Sequence, residues 1–453
     1  MKFMKFGKAL LMSTLSVALI LSVTSCVESY SVGFLYVTGT VTAQTSGNGI
    51  ITGFKIDHNT GKLNTINGLP VSSGGANPDR AVLLTGSRFL YVLNRGVTAS
   101  GGADCTTADP CQGSNITVFA VGGNGILTQQ EQFYTQGINP FRIIADTSGG
   151  FLYVLDHDAP SNAACALALG PAATTCGDIT GFTINQTTGR LSLIENAQVT
   201  AANGTPLTYF PVPANPVDFI ESPGFFITMS AATPATSYPY TGGTSVFPYS
   251  FTNVSGQLTI NQNSSQPLGI LQGTAIVQGS NYIYVLDNEP IYLNGSATAA
   301  SASQILPFTV GANGALQSAT GGAVPDDPAQ SNPIYLLVES KSKWLYMANQ
   351  GNYNTTSGNA ESGITGYVID PTTHQLSEMA GLPFTTGSGP QCIVEDPSNQ
   401  YVYTANYNDS TVSGNSIDEN SGFLVPLNQN HSVPTTYSLS GPATWCVMDG
   451  RTD

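Results

Sequence analysis

Two of the six arginines in this chain share one setting. Arg80 and Arg142 each stand two residues after the proline of an Asn-Pro pair and 11 before a tyrosine. A guanidinium fork suits a carboxylate or a phosphate, so two of them side by side describe a site for a small anion. Asp218 and Tyr335 hold the same place after two later Asn-Pro pairs. The plainer alternative is a pair of structural ion pairs, Arg142 with Asp218 and Arg80 with Asp79. A second constellation is Asp156-His157-Asp158, in which an oriented imidazole could act as a general base. A solvated loop is the competing account of it. His58 and His374 lie in turns, and His431 has no evident partner. The acid pair Asp326-Asp327 sits among turn formers and is expected to face solvent. Nucleophile elbows, phosphate loops and calcium loops are missing from the sequence, so neither a cofactor nor a metal is expected.

The elements that would carry these residues repeat seven times. One motif reads FLYV or close to it, and its third position is Tyr36, Tyr91, Tyr153, Phe226, Tyr284, Tyr346 and Tyr403, at intervals of 55, 62, 73, 58, 62 and 57 residues. A second motif, G-x-L, follows each copy: Gly61–Leu63, Gly125–Leu127, Gly189–Leu191, Gly256–Leu258, Gly314–Leu316, His374–Leu376 and Gly422–Leu424. An apolar run such as ITGFKI or ITVFAV precedes that turn, and Asn-Pro or Gly-Pro opens another apolar run before most tyrosine motifs. Each repeat is therefore four short strands, A to D. Recurring four-stranded units of this length are propeller blades. The first FLYV strand has no A strand ahead of it, and Gly441–Asp449 is an A strand with no B strand behind it. The expected architecture is all-β, a seven-bladed β-propeller of four antiparallel strands per blade, with the first blade closed by the C-terminal strand over one domain, 33–453. The long B–C connections, about 96–113, 157–176, 230–243, 288–301 and 350–361, share one face with the starts of the A strands. That loop-bearing face is where ligands are expected.

The pattern N/G-P…FLYV-N…I-x-x-F-x-I…T-G-x-L resembles the seven-bladed lactonase family, which includes 6-phosphogluconolactonase-like proteins and YVTN-type surface propellers. The resemblance spans about residue 33 to the end. It implies a propeller and, as an activity, lactone hydrolysis. Members of that family typically place a histidine two residues after the proline of one A strand and a glutamate after the asparagine of one B strand. Here the first setting holds Arg80, Arg142, Asp218, Tyr335, Cys392 and Thr444, and the second holds Arg95, His157, Asn288, Gln350 and Tyr407. Two functions stay open: a lactonase-like propeller binding a small anionic or sugar-derived ligand, and a non-catalytic surface or scaffold module binding a protein or polymer.

Charge and targeting signals bound the setting. Charged residues are 9% of the chain, and beyond residue 26 ten Lys plus Arg face 28 Asp plus Glu, a net charge of −18. That balance excludes a nucleic-acid footprint. Residues 1–25 have three lysines and then a short apolar run, the pattern of a secretory signal peptide. Val23-Thr24-Ser25-Cys26 resembles a bacterial lipobox, which implies lipidation of Cys26, a linker over 26–32 and a cell-envelope location with the membrane reached only through the lipid. Ordinary cleavage near Ser25 is the alternative. The other six cysteines suggest disulfides in an exported chain: Cys105–Cys111 and Cys165–Cys176 as local pairs, and Cys392–Cys446 joining the A strands of blades 7 and 1. Parity along those two strands requires a bulge for the last of these. A monomer is expected.

Overall fold

A computed structural model describes residues 30–449 apart from 42–47, 85–87, 103, 232–242, 262–263, 271, 289–302, 328–329 and 352–361. The signal segment and Cys26 lie outside the described residues.

Seven antiparallel sheets follow one another in D-C-B-A order. Blade 2 shows the pattern: A is Pro78–Leu83, B is Phe89–Asn94, C is Asn115–Val121 and D is Leu127–Phe133. In blade 1, B is Ser31–Thr40, and its A strand is Ala443–Asp449, paired from Phe34↔Asp449 to Gly39↔Ala443. The C-terminal strand thus closes the ring as expected. Five blades carry an addition: D covers only one end of C, and the chain returns to pair with the other end, as Val71–Ala76 does in blade 1. In these blades the outer strand is split by a detour.

The B strands are the most buried, because each lies between two strands of its own sheet and between two neighbouring blades; Phe89–Asn94, Trp344–Asn349 and Tyr401–Asn406 are buried at every position. Apolar clusters accordingly fill the spaces between blades, one joining Tyr91 and Leu93 of blade 2 to Leu152 and Val154 of blade 3. Within this packing the two repeated motifs meet. The hydroxyl of Tyr36 donates to Gly125 O at 2.8 Å, Tyr91 to Gly189 O at 3.1 Å, Tyr153 to Gly256 O at 2.8 Å, Tyr346 to Gly422 O at 2.6 Å and Tyr403 to Gly61 O at 2.6 Å. Each bond runs from one blade to the C–D turn of the next, and Tyr403 to Gly61 carries the series across the closure. Tyr284 reaches His374 O at 3.2 Å. His374 stands at φ 55°, in the left-handed region where the other copies have glycine. Phe226 of blade 4 has no hydroxyl to offer Gly314.

All three expected disulfides form, with Cα–Cα distances of 5.1 Å for Cys105–Cys111, 5.6 Å for Cys165–Cys176 and 5.9 Å for Cys392–Cys446. A bulge was expected along the strands joined by the last bond, and each of the two has one, at Pro390/Cys392 and opposite Thr38/Gly39. Cys165 sits in helix α1 (Asn162–Leu169), inside the B–C connection of blade 3, where a small apolar cluster with Val199, Leu207 and Tyr209 holds the helix down. One expectation is overturned. Asp326 and Asp327 are each only 8% exposed, because the chain leading into blade 6 turns them inward.

Candidate functional site

Every A strand enters its blade through the same irregularity. In blade 2, Pro78 pairs with Asn94 and Arg80 with Leu93, so Asp79 is an extra residue, a β-bulge. The Asn before the proline takes the left-handed conformation in four blades (Asn77 φ 49°, Asn139 φ 60°, Asn215 φ 56°, Asn332 φ 52°), which turns the chain into the strand. The first residue after the bulge occupies one ring around the axis. In blade order the ring is Trp445, Arg80, Arg142, Asp218, Ala275, Tyr335 and Cys392. Counting from Pro442 puts Thr444 there, but Thr444 is the bulged residue of blade 1 and Ala443 takes the proline's register. The sequence therefore misplaced the one tryptophan of the ring.

All of these residues except Cys392 line a cavity of about 580 Å³ running along the inner strands. At its mouth the Arg80 guanidinium lies over the Trp445 ring, Cζ 3.9 Å from the centroid, and Tyr335 meets the same indole edge-on at 4.8 Å. Arg142 Nε stands 3.4 Å from Asp218 Oδ1, and Arg80 stands 3.7 Å from Asp79 Oδ1. Both ion pairs of the plainer account therefore exist. They do not use the same share of each arginine. Asp218 also accepts the Phe219 N–H and, across to blade 5, the Ile276 N–H, each at 3.0 Å. Arg142 is thus the counter-charge of a buried, fully engaged carboxylate. Arg80 is in direct contact with a neighbour in sequence and the flat face of an indole, and feels Asp218 only from a distance, through its charge.

Electrostatics separate the residues further. Burial raises the Asp218 carboxyl, opposed by Arg142 and by the two N–H donors. Burial first, and then the like charge of Arg142, bring the Arg80 guanidinium down to about 10, which leaves it cationic at neutral pH. Burial also raises the Tyr335 phenol, so at neutral pH it is a neutral donor and acceptor. The mouth therefore combines two cations, one satisfied acid, one phenol and one indole. It can hold an anion at the guanidinium groups and a hydroxylated ring or chain beside the aromatics.

The second constellation is dispersed. Asp156 is wholly buried beneath the chain that enters blade 3, while His157, next along the strand and on the other face, is 40% exposed at the rim. His157 Nδ1 stands 3.2 Å from Asp158 Oδ2, and its ring is 6.3 Å from that of Phe141, the residue before Arg142. Asp158 also accepts from the Thr107 hydroxyl at 3.0 Å and from Asn139 Nδ2 at 3.3 Å, which ties the loop of the first disulfide to blade 3. Among the described residues, no group of three or more His, Cys, Asp or Glu is placed to hold a metal ion.

Residues 47–205 and 291–442 match the family model of the seven-bladed β-propeller lactonases. Among solved structures, the periplasmic gluconolactonase PpgL of Pseudomonas aeruginosa is similar with a TM-score of 0.61 and 15% identity, over 92% of this chain and 98% of that one. A candidate 6-phosphogluconolactonase from Bacteroides fragilis gives 0.61 and 14% over 94% and 99%, and a protein from Lactobacillus plantarum gives 0.56 and 14% over 92% and 99%. At these identities the likeness is one of fold. No curated protein matches the chain.

Proposed function

The chain belongs to the seven-bladed β-propeller lactonase family, and from that premise we propose that it is an exported, lipid-anchored envelope protein that binds a sugar-derived anion at the mouth of its central cavity and opens a lactone there. The ligand class is an aldonolactone or its open aldonate, carrying a carboxylate or phosphate. The observation that carries this reading is the pairing of Arg80 and Arg142 on adjacent inner strands of one cavity, in a chain whose net charge is otherwise strongly negative. Arg80, which makes no direct ion pair with the buried Asp218, takes the anion. Trp445 and Tyr335 offer an apolar face and a neutral hydroxyl to the sugar carbons and hydroxyls. In hydrolysis, water adds to the lactone carbonyl, the acyl C–O bond breaks, and the ring oxygen leaves as a hydroxyl. A guanidinium beside the carbonyl would stabilise the oxyanion that forms.

A binding role without turnover has its own support. Asp218, the acid at the mouth, has both oxygens engaged, so it is poorly placed to activate water. One experiment separates the readings: the purified protein is assayed against phosphorylated and plain aldonolactones, with aldonate binding followed by calorimetry. Turnover that falls in Arg80→Ala supports the hydrolase. Aldonate binding without turnover supports the binding role, and neither binding nor turnover points to a protein or polymer partner instead.

A further inference from the structure

In several blades the last residue of the B strand faces a polar residue of the C strand. In blade 2 Asn94 is opposite Asn115, and its Nδ2 donates to Asn115 Oδ1 at 3.0 Å. In blade 5 Gln304 Nε2 donates to Asp287 at 2.9 Å, and in blade 7 Asn406 Nδ2 donates to the Thr411 hydroxyl at 3.0 Å. Each pair matches a donor to an acceptor. Blade 3 does not. There Asp156 stands directly opposite Asp178, and both are 0% exposed.

The donors around this pair are too few for two carboxylates. Thr135 Oγ1 donates to Asp156 Oδ1 at 2.8 Å, and the Gly137 N–H also reaches Asp156. The Thr180 hydroxyl lies 3.2 Å from Asp156 Oδ2 and 3.4 Å from Asp178 Oδ2, but it has one proton to give. Asp178 Oδ1 is buried with no hydrogen-bond partner. A side chain on Gly137 would collide with that oxygen and with Asp156 Cβ, so the crossover chain lies directly on the pair.

We propose that Asp156 and Asp178 share one proton in the folded protein, and that this proton is a pH-operated latch on the crossover at 134–137 between blades 2 and 3. The groups that face the pair reinforce the need for a proton. From the same strand comes Asp158, whose charge acts on Asp178, while its partner His157 points to the other face; from the chain leaving blade 3 comes Tyr209. The crossover contributes Thr135 and Gln136, and the A strand places Pro140 opposite Asp156, none of which can be charged. Burial raises both carboxyls above the ordinary carboxylate range, and the charge of Asp156 raises Asp178 further. A carboxyl raised in the folded state gives stability that is complete below the unfolded value near 4 and is lost as pH rises through about 7. The latch is therefore closed in acid and loosens as pH rises towards neutrality. It acts on Thr135 and Gly137 directly, and on Gln136 through the Gln136 N–H to Thr180 bond at 2.9 Å.

Amide hydrogen exchange over 134–139 in the whole protein tests this. After correction for intrinsic rates, opening of this segment should become more frequent between pH 5 and 7 by up to about tenfold per pH unit, the slope for one proton. Asp178→Asn replaces the missing proton with an amide donor, as in blade 2, and should make the profile flat. Infrared difference spectra between the unaltered protein and Asp178→Asn give a second readout: a buried protonated carboxyl band at pH 5.5, lost in alkali, that the substitution removes while the bands of other buried carboxyls such as Asp326 remain. A flat profile in the unaltered protein, an unchanged slope in Asp178→Asn, or no such band would each overturn the proposal. So would a profile that depends on added calcium rather than on pH.

Discussion

Replacing the two ring arginines one at a time should have opposite consequences, and the structure gives the sizes. Arg142→Ala removes the counter-charge of Asp218, whose side chain is 12% exposed, and leaves it only two N–H donors. Breaking a fully buried pair costs about 3–5 kcal/mol; the two remaining bonds and the partial exposure of Arg142 bring the expected loss to about 2–3 kcal/mol. The loss should depend on pH. Burial already raises Asp218, and without Arg142 it rises further, so the penalty is small below the ordinary carboxylate range and grows as pH rises towards neutrality. Arg80→Ala forfeits a stack on Trp445, about 0.5–2 kcal/mol, but relieves repulsion with Arg142, so its net cost should stay below about 1 kcal/mol. Its cost to an anion should be larger, about 1.5–3 kcal/mol for a lost charge-assisted contact, or roughly 10- to 150-fold in Kd. Chemical denaturation at pH 4.5 and 7.5, with calorimetric titration of an aldonate, reads both quantities. The reasoning fails if Arg80→Ala is as destabilising as Arg142→Ala while binding stays unchanged, since Arg80 would then be a brace.

Other expectations concern the frame and the anchor. Tyr91→Phe should destabilise by about 1–3 kcal/mol, because it strands the buried carbonyl of Gly189; Phe226→Tyr should cost less or add stability, and equal losses from both would show that the hydroxyl bonds do not hold the blades. Replacing Cys392 and Cys446 with serine frees a loop of sequence separation 54, for which the chain-entropy model gives about 4 kcal/mol; unfolding curves without reductant should show the variant less stable than the parent by about that amount, and with reductant the two should coincide. Cys26→Ser should move the protein from the membrane to the soluble fraction, and membrane retention would show that Cys26 is not the anchor.

What could be read in the sequence, and what could not, divides along covalent spacing. The tyrosine and G-x-L motifs recur because one is bonded to the other in nearly every blade, so their seven-fold spacing exposed the architecture directly. Arg80, Arg142 and Asp218 were found together because Asn-Pro marks the strand start in their blades. Trp445 was missed because its bulge follows Gly-Pro one residue later, and only pairing with Thr38 reveals its register. Asp178 was missed for another reason. It is 22 residues from Asp156 in sequence, and the strand pairing that sets the two face to face leaves no sign in composition. Asp326 looked solvated because turn formers surround it, whereas the Thr365 hydroxyl draws it inward at 2.8 Å.

The closing strand also fixes an order of events in the making of the molecule. Phe34 is among the first residues of the ring to be synthesised, and its partner Asp449 is among the last. For all of that interval the first blade keeps an unpaired inner edge, the kind of edge that recruits other chains. A contact this remote in sequence also slows folding far more than it weakens the folded state. The same pairing suggests a rearranged gene. Because residues 34 and 449 already sit side by side, a short linker joining Asp449 to Tyr30 and new termini before Pro78 would give a permutant in which each blade is contiguous. That permutant should refold faster and aggregate less than the parent, at similar stability.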